Sequence, residues 1–284
     1  FDYTGQTVMS YPVIRYGFFL YPVTTGATQG GLFPYEESGI GQVIAMLHRR
    51  GKRFMATGNF FTLPELAFNP ALIPPAVEQG IILKDRNGRP LRCFGTNYRI
   101  NPIHPEGQRL ALAHWRRMLD SYARLDGFAG VDIWVQGLFG CFLSLDEGYD
   151  DYTVGEFTRT TGIAVPATDP YERQKFLIGD EHREAWLQFR ADRITEYYRQ
   201  LRALLDEYDP QLAMVLALDG VPTIGSSSET MTQDTAEWFR REYGLDFAGL
   251  EALPNVRLMP LRHPTSYRWN RHWGNPPNNA NDYI

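Results

Sequence analysis

The sequence predicts an α/β protein of the (β/α)8 TIM-barrel type, and three observations predict it. Strand-like apolar runs alternate with amphipathic helical stretches along the chain. The segments after the strands are long and aromatic, as at a barrel mouth, where the loops following the strands carry the site. No G-x-G-x-x-G or G-x-x-x-x-G-K-[ST] follows a strand, which counts against a nucleotide-binding sheet. Only about five or six strands can be read, against the eight of a closed barrel. The alternatives are therefore a chain that stops before its last units and an open, doubly wound sheet. The barrel is preferred, as one domain over residues 1–284 of a longer polypeptide.

The elements follow in order. Residues 13–23 (VIRYGFFLYPV) are β-branched and aromatic with no helical period, and predict the first strand. A Gly-rich loop leads to residues 36–50, where Ile40, Val43, Ile44, Met46 and Leu47 form a helical stripe ending in basic residues and Gly51. Residues 52–61 predict the second strand, which completes a βαβ unit. Prolines make residues 63–75 a loop, and the Asn87-Gly88 pair within 85–90 marks a turn. Residues 105–125 carry Leu110, Leu112, Trp115, Met118, Leu119 and Tyr122 on one side and predict a helix. Residues 128–135 (FAGVDIWV) predict a strand, and residues 136–151 a long loop. A short helix over 153–161 ends at Gly162, a second helical piece covers 172–178, and the longest helix covers 180–206. Residues 211–218 (QLAMVLAL) read as a buried parallel strand. Helical pieces at 234–243 and 246–253 precede a last strand at 255–262.

Composition excludes several classes. With 43% apolar and 21% charged residues the chain is neither disordered nor collagenous nor a coiled coil. A net charge of −5 argues against a nucleic-acid-binding face, which wants a basic surplus. Aromatic residues at 14% fit either a large core or a surface on which sugar rings stack. Cys93 and Cys141 have no metal-binding spacing and read as free core thiols. No apolar run is long enough for a membrane span. The chain opens at Phe1 without a charged-then-apolar leader, so either a leader has been removed or this is a piece of a longer protein.

Metal-hydrolase and serine-nucleophile patterns (H-x-H, H-E-x-x-H, G-x-S-x-G) are absent, so no metal and no cofactor are expected. Carboxylates remain. A glycosidase needs two of them about 5–9 Å apart across the scissile bond. Asp146 and Glu147 lie in the loop after the FAGVDIWV strand, and Asp219 ends the VLAL strand. Glu147, flanked by Phe139, Phe142 and Tyr149, is the expected general acid, because an apolar wall keeps a carboxyl protonated. Asp219 is the expected nucleophile or base, with Asp146 beside Glu147 as a third candidate. Each has an ordinary alternative: Asp146–Glu147 as a solvated loop tip, Asp219 as a turn residue, Asp150 or Asp151 as a helix N-cap, and Asp132 as an interior residue paired with an Arg. Substrate positioning is expected from Asn59, Tyr98, Asn101, Trp134, Gln136, Tyr149, Arg262, His263, Tyr267 and Trp269, rings and polar groups near strand ends.

Several stretches resemble a known group. The strand GVDIW with the loop and helix DEGYDDYTVGEFTRTTGIAVP, the segment AWLQFRADRITEYYRQLRALL, and NGRPLRCFGTNYRINPIHPEGQR are similar to barrel glycoside hydrolases related to the family 42 β-galactosidases and the family 10-like glycosyl hydrolases. The similarity spans roughly residues 54–218. It implies a barrel fold and a carbohydrate substrate. That family places Asn-Glu at the end of its fourth strand, where this chain has Val135-Gln136-Gly137, and its nucleophile on a seventh strand that this chain does not reach. Neither family carboxylate is therefore carried over.

The function expected from these readings is hydrolysis of a poly- or oligosaccharide by carboxylate acid/base catalysis, in a secreted or periplasmic setting. The alternatives are a barrel module that binds glycan without cutting it and a non-hydrolytic barrel enzyme such as a lyase, isomerase or aldolase.

Overall fold

The computed structural model describes residues 5–15, 18–19, 39–58, 70–93, 97–135, 141, 143–219 and 233–261. Its centre is a five-stranded sheet. The strands are β1 (Val8–Pro12), β4 (Arg53–Gly58), β7 (Phe128–Val135), β8 (Ala213–Asp219) and β9 (Val256–Leu261), in the spatial order β1-β4-β7-β8-β9. All four pairings are parallel. Two short antiparallel pairs stand apart from it: β2 (Ile14–Arg15) with β3 (Phe18–Phe19), and β5 (Arg92–Cys93) with β6 (Asn97–Tyr98).

Spatial order equals chain order. A doubly wound sheet reverses its order at a switch point, whereas a barrel adds each new strand on the same side. Among the described residues the sheet therefore follows barrel winding, with five of the eight strands that closure requires. The first strand is Val8–Pro12, ahead of the expected residues 13–23. Of that stretch, 13–15 and 18–19 are described, and they form a short hairpin after β1. The alternation of half-exposed residues in β1 is a weak strand signal, whereas the apolar run behind it is strong, which is why sequence reading favours the later segment.

Parallel neighbours need crossovers, and helices supply them. They are α1 (Gly39–Arg49), α2 (Ile73–Glu78), α3 (Pro105–Tyr122), α4 (Asp151–Thr161), α5 (Pro170–Ile178), α6 (Arg183–Asp206), α7 (Gln233–Tyr243) and α8 (Phe247–Glu251). Their ends carry the signals read in the sequence. Gly162 adopts φ 75° after α4, and Asp169 accepts from the N–H groups of Tyr171 and Glu172 at the start of α5. The Asn87-Gly88 turn is built on Asp85, whose Oδ1 accepts from the N–H groups of Asn87 and Arg89 at 2.8 Å each.

The core lies on one face of the sheet. Phe54, Ala56, Val131, Ile133, Met214, Leu216, Leu218 and Val256 pack with Ile44 and Leu47 of α1, Trp115 and Met118 of α3, Tyr197 and Leu201 of α6, and Leu250 of α8. Gly58 lets the Trp115 ring rest on β4: a Cβ there would lie 2.3 Å from it. The residues at alternate positions face the other way, because successive strand side chains alternate. That second face carries Ser10, Met55, Thr57, Asp132, Trp134, Val215, Ala217, Arg257 and Met259, and none of them belongs to the main core cluster.

Asp150 caps α4 and ties it to the chain before α3. Its Oδ1 accepts from the Thr153 N–H at 3.0 Å and its Oδ2 from the Thr153 hydroxyl at 2.9 Å. Asn101, fully buried, donates to the Gly80 carbonyl at 3.1 Å and the Thr153 hydroxyl at 2.8 Å. Asp150→Ala removes the cap and strands buried donors, at an expected cost of about 2 kcal/mol. The check is a lower urea midpoint with an unchanged slope.

Candidate functional site

The expected site residues fall into two places that share no hydrogen bond or ion pair among the described residues. The first is the loop 143–150, which joins β7 to α4. Here Glu147 is 3% exposed. Its Oε1 accepts from the Arg99 guanidinium at 2.5 Å and its Oε2 from the Ser144 N–H at 3.1 Å. Burial raises its carboxyl above the ordinary range against the pull of Arg99. The direction of that shift is the one expected for a general acid, but both oxygens are committed to the protein, and the side chain is enclosed rather than facing a cleft.

The rest of the loop is tied down in the same way. Asp146, partly exposed, pairs with Arg86 at 3.2 Å and accepts from Gln174 at 3.2 Å. Tyr149 is fully buried, stacks on Trp186 with ring centroids 5.6 Å apart, and donates its hydroxyl to the Leu145 carbonyl at 2.6 Å. Its surroundings are core, not a sugar platform. Arg190 donates to the Leu143 and Arg241 carbonyls, and burial brings its guanidinium down to about 10. Tyr98 lies under the Arg92 guanidinium, 5.1 Å from the ring centroid, and accepts from it at 2.9 Å.

The second place is the face of the sheet on which, among the described residues, no helix packs. Asp132 on β7 is paired in register with Thr57 on β4 and Val215 on β8. Its Oδ2 accepts from Ser10 at 2.5 Å and from Thr57 at 3.4 Å, and the two hydroxyls lie 2.6 Å apart. Hydroxyls, not the expected Arg, are its partners. Oδ1 is buried and receives no hydrogen bond of good geometry. Burial raises the carboxyl above the usual aspartate range, while Ser10, Thr57 and the Trp134 indole pull it back. Trp134, two residues on, occupies the last position of β7 on this face and is 42% exposed. Asp219 ends β8, opposite Leu261 of β9.

Asn59, Gln136, Arg262, His263, Tyr267 and Trp269 lie outside the described residues, as do Phe139 and Phe142. Ser10 and Thr57 were not anticipated. Ser10 sits in β1, ahead of the segment that reads most strongly as a strand, and a lone Thr in a strand is ordinary, so only register joins them to Asp132. Among the described residues no group of three His, Cys, Asp or Glu lies together as metal ligands, and no helix is long and apolar enough to cross a membrane. Cys141 is a buried free thiol.

No family model matches the chain, and no curated protein matches it. Among solved structures it is similar to a β-galactosidase from Bacillus circulans sp. alkalophilus, at 14% identity and a TM-score of 0.48 over 77% of this chain and 33% of that one. A β-galactosidase from the Antarctic haloarchaeon Halorubrum lacusprofundi is similar at 15% identity and a TM-score of 0.47, over 86% and 35% of the two chains. The cold-adapted β-galactosidase of Rahnella sp. R3 is similar at 14% identity and a TM-score of 0.47, over 75% and 31%. The chain spans about a third of the length of these structures.

Proposed function

We propose that this chain is the barrel portion of a glycoside hydrolase acting on an oligo- or polysaccharide. One observation carries the reading: among the described residues, the parallel strands follow barrel winding, and the face of the sheet opposite the main core cluster ends in a half-exposed Trp134 beside the strand closed by Asp219. In barrels of this winding the ligand meets the C-terminal ends of the strands. The apolar face of a sugar ring stacks on an indole, and a strand-end carboxylate supplies the acid/base or nucleophilic group. The sequence resemblance to family 42-like enzymes points the same way.

Within that reading Asp219 takes the catalytic role and Glu147 holds the loop. The test is turnover of a panel of p-nitrophenyl glycosides and oligosaccharides. Asp219→Asn is expected to lower kcat by about a hundredfold or more. Glu147→Gln is expected to lower thermal stability while leaving kcat of the folded fraction within about twofold. Loss of kcat in folded Glu147→Gln would return the acid role to Glu147. Failure of every glycoside to turn over would remove the hydrolase reading.

A second reading is glycan binding without cleavage. Asp219 lies four positions beyond Val215, the partner of Asp132. At about 3.3 Å per residue that offset is ~13 Å along the strands, beyond the ~9.5 Å upper limit for a glycosidase pair, so Asp132 is not the second carboxylate of a pair with Asp219. Binding of the same oligosaccharides with no turnover is its expected outcome.

A further inference from the structure

We propose that the last turn of α1 and the turns leading into β4 and β7 form a basic docking surface for an anionic lipid bilayer. The proposal is independent of the glycoside hydrolase reading and goes beyond it.

Three features support it. The first is a concentration of cations. Residues 48–53 read HRRGKR and place Arg49, Arg50, Lys52 and Arg53 where α1 ends and β4 begins. The turn between α3 and β7 adds Arg124. The two turns touch: the Gly127 carbonyl accepts from the Phe54 N–H at 2.8 Å, and a Cβ at Gly127 would lie 2.9 Å from the His48 Cβ. Within residues 48–53 and 123–127 five cations therefore stand against one carboxylate, Asp126, although the whole chain carries a net −5.

The second feature is the missing neutralisation. On the outer helices exposed arginines meet carboxylates: Arg109 with Glu106, Arg116 with Glu207, Arg159 with Glu156 and Arg199 with Glu196. Arg49, Arg50, Arg53 and Arg124 are also exposed and form no ion pair among the described residues. Like charges held together without partners repel one another, and an anionic surface relieves that repulsion.

Thirdly, two exposed apolar side chains lie among these cations. Met46, 42% exposed, is on α1 three residues before Arg49, and Leu125, 39% exposed, follows Arg124. A Cβ at Gly41 would lie 3.8 Å from the Leu125 Cδ1, so Leu125 rests against α1. Cations flanking apolar side chains suit a lipid headgroup layer, where phosphates meet the guanidinium groups and the boundary with the acyl chains takes Met46 and Leu125. A nucleic acid or polyphosphate would use the charge alone.

The place of this surface in the fold has a consequence. Arg53 is the first residue of β4 and Phe128 the first of β7, whereas Trp134 and Asp219 lie toward the C-terminal ends of their strands. The strands are parallel, so a bilayer docked at their N-terminal ends leaves the opposite end of the sheet directed away from it.

The test mixes the full chain with vesicles of phosphatidylcholine alone or of equimolar phosphatidylcholine and phosphatidylglycerol, at low and high salt, and reads the bound fraction by co-sedimentation. Binding to the anionic vesicles only, lost at high salt, is the expected result. With each cation at an anionic surface worth about fivefold, Arg49→Gln/Arg50→Gln is expected to weaken binding by about 25-fold. Arg159→Gln/Arg199→Gln removes the same charge from α4 and α6 and is expected to change binding by less than about twofold. Met46→Ser/Leu125→Ser is expected to weaken it by about threefold or more with the salt dependence kept. All six side chains are exposed, and unchanged urea midpoints check that the variants fold. Absence of binding to the anionic vesicles overturns the proposal, as does an equal loss in Arg159→Gln/Arg199→Gln. Salt-sensitive binding to duplex DNA or polyphosphate, or a salt-sensitive dimer, in the absence of vesicle binding also overturns it.

Discussion

Arg99→Met is expected to cost about 3–5 kcal/mol, because it leaves the Glu147 carboxyl buried without its partner. Arg99 and Glu147 are 1% and 4% exposed at the side chain and 2.5 Å apart. They fasten two excursions to each other. Arg99 belongs to the segment leading into α3, with its N–H bonded to the Leu91 carbonyl. Glu147 belongs to the loop leading into α4, bridged by backbone to Asp85. Further bonds run between the same partners: Arg86 N–H to the Asp146 carbonyl at 2.9 Å and Gly148 N–H to the Lys84 carbonyl at 3.2 Å. Removing only the charge in Glu147→Gln leaves the guanidinium unneutralised and is expected to cost somewhat less. The double variant Arg99→Met/Glu147→Leu is expected to regain most of the loss, since a buried pair replaced by apolar groups of similar volume is often near neutral. Chemical denaturation of the wild type, Arg99→Met, Glu147→Leu and the double variant checks this. Additive losses in the double variant would mean that the two side chains act separately.

Gly130→Ala is expected to destabilise by on the order of 4 kcal/mol or more, combining left-handed backbone strain with overpacking. Gly130 has φ 134° and pairs with Ala213, the first residue of β8. A Cβ there would lie 2.0 Å from the Ala213 carbonyl oxygen and 2.6 Å from its nitrogen. Backbone atoms in the middle of a sheet cannot step aside as a flexible side chain can. The position also follows a register shift between β4 and β7, where Phe54 pairs with Phe128 and Met55 with Gly130. That irregularity sets the register which brings Thr57 opposite Asp132. Gly130→Ala is therefore expected to disturb the hydrogen bonds of Ser10 and Thr57 to Asp132 as well as stability. Gly155, inside α4, is the control: a Cβ added there would meet nothing within 4 Å. Gly155→Ala is expected to be neutral or to stabilise by up to about 1 kcal/mol. Urea denaturation of both variants separates a local clash from a general effect of added volume.

Local chemistry made most elements legible. The β7 boundaries follow from a run of β-branched and aromatic residues between Gly127 and the Gln136-Gly137 pair, and the structure has the strand at Phe128–Val135. Gly162 ends α4 because only a residue free of a Cβ adopts its φ of 75° cheaply. The preference for a barrel rests on the long aromatic segments after the strands and the missing nucleotide-binding motifs; alternation is common to barrels and doubly wound sheets, and only hydrogen-bonded pairing shows which strands are neighbours. The first described strand lies several residues earlier than its sequence signal, because the described part of the stronger apolar run forms the short β2–β3 pair after it.

For the site the division is sharper. The sequence alone pointed to a carboxylate-rich, aromatic-flanked loop and singled out Asp146, Glu147 and Tyr149 within it. It also identified Trp134 as a ring near a strand end. Which carboxyl is buried against a cation and which against hydroxyls was decided only by tertiary structure. Arg99 is 48 positions from Glu147, and Ser10 is 122 positions from Asp132. Whether a buried acid is held by a cation or by hydroxyls depends on such distant partners, and no local pattern encodes them. Alternation along a strand says that Asp132 and Trp134 share a face; only the packing of α1, α3, α6 and α8 shows that the main core lies on the opposite face, and that on theirs Asp132 is buried while Trp134 is exposed.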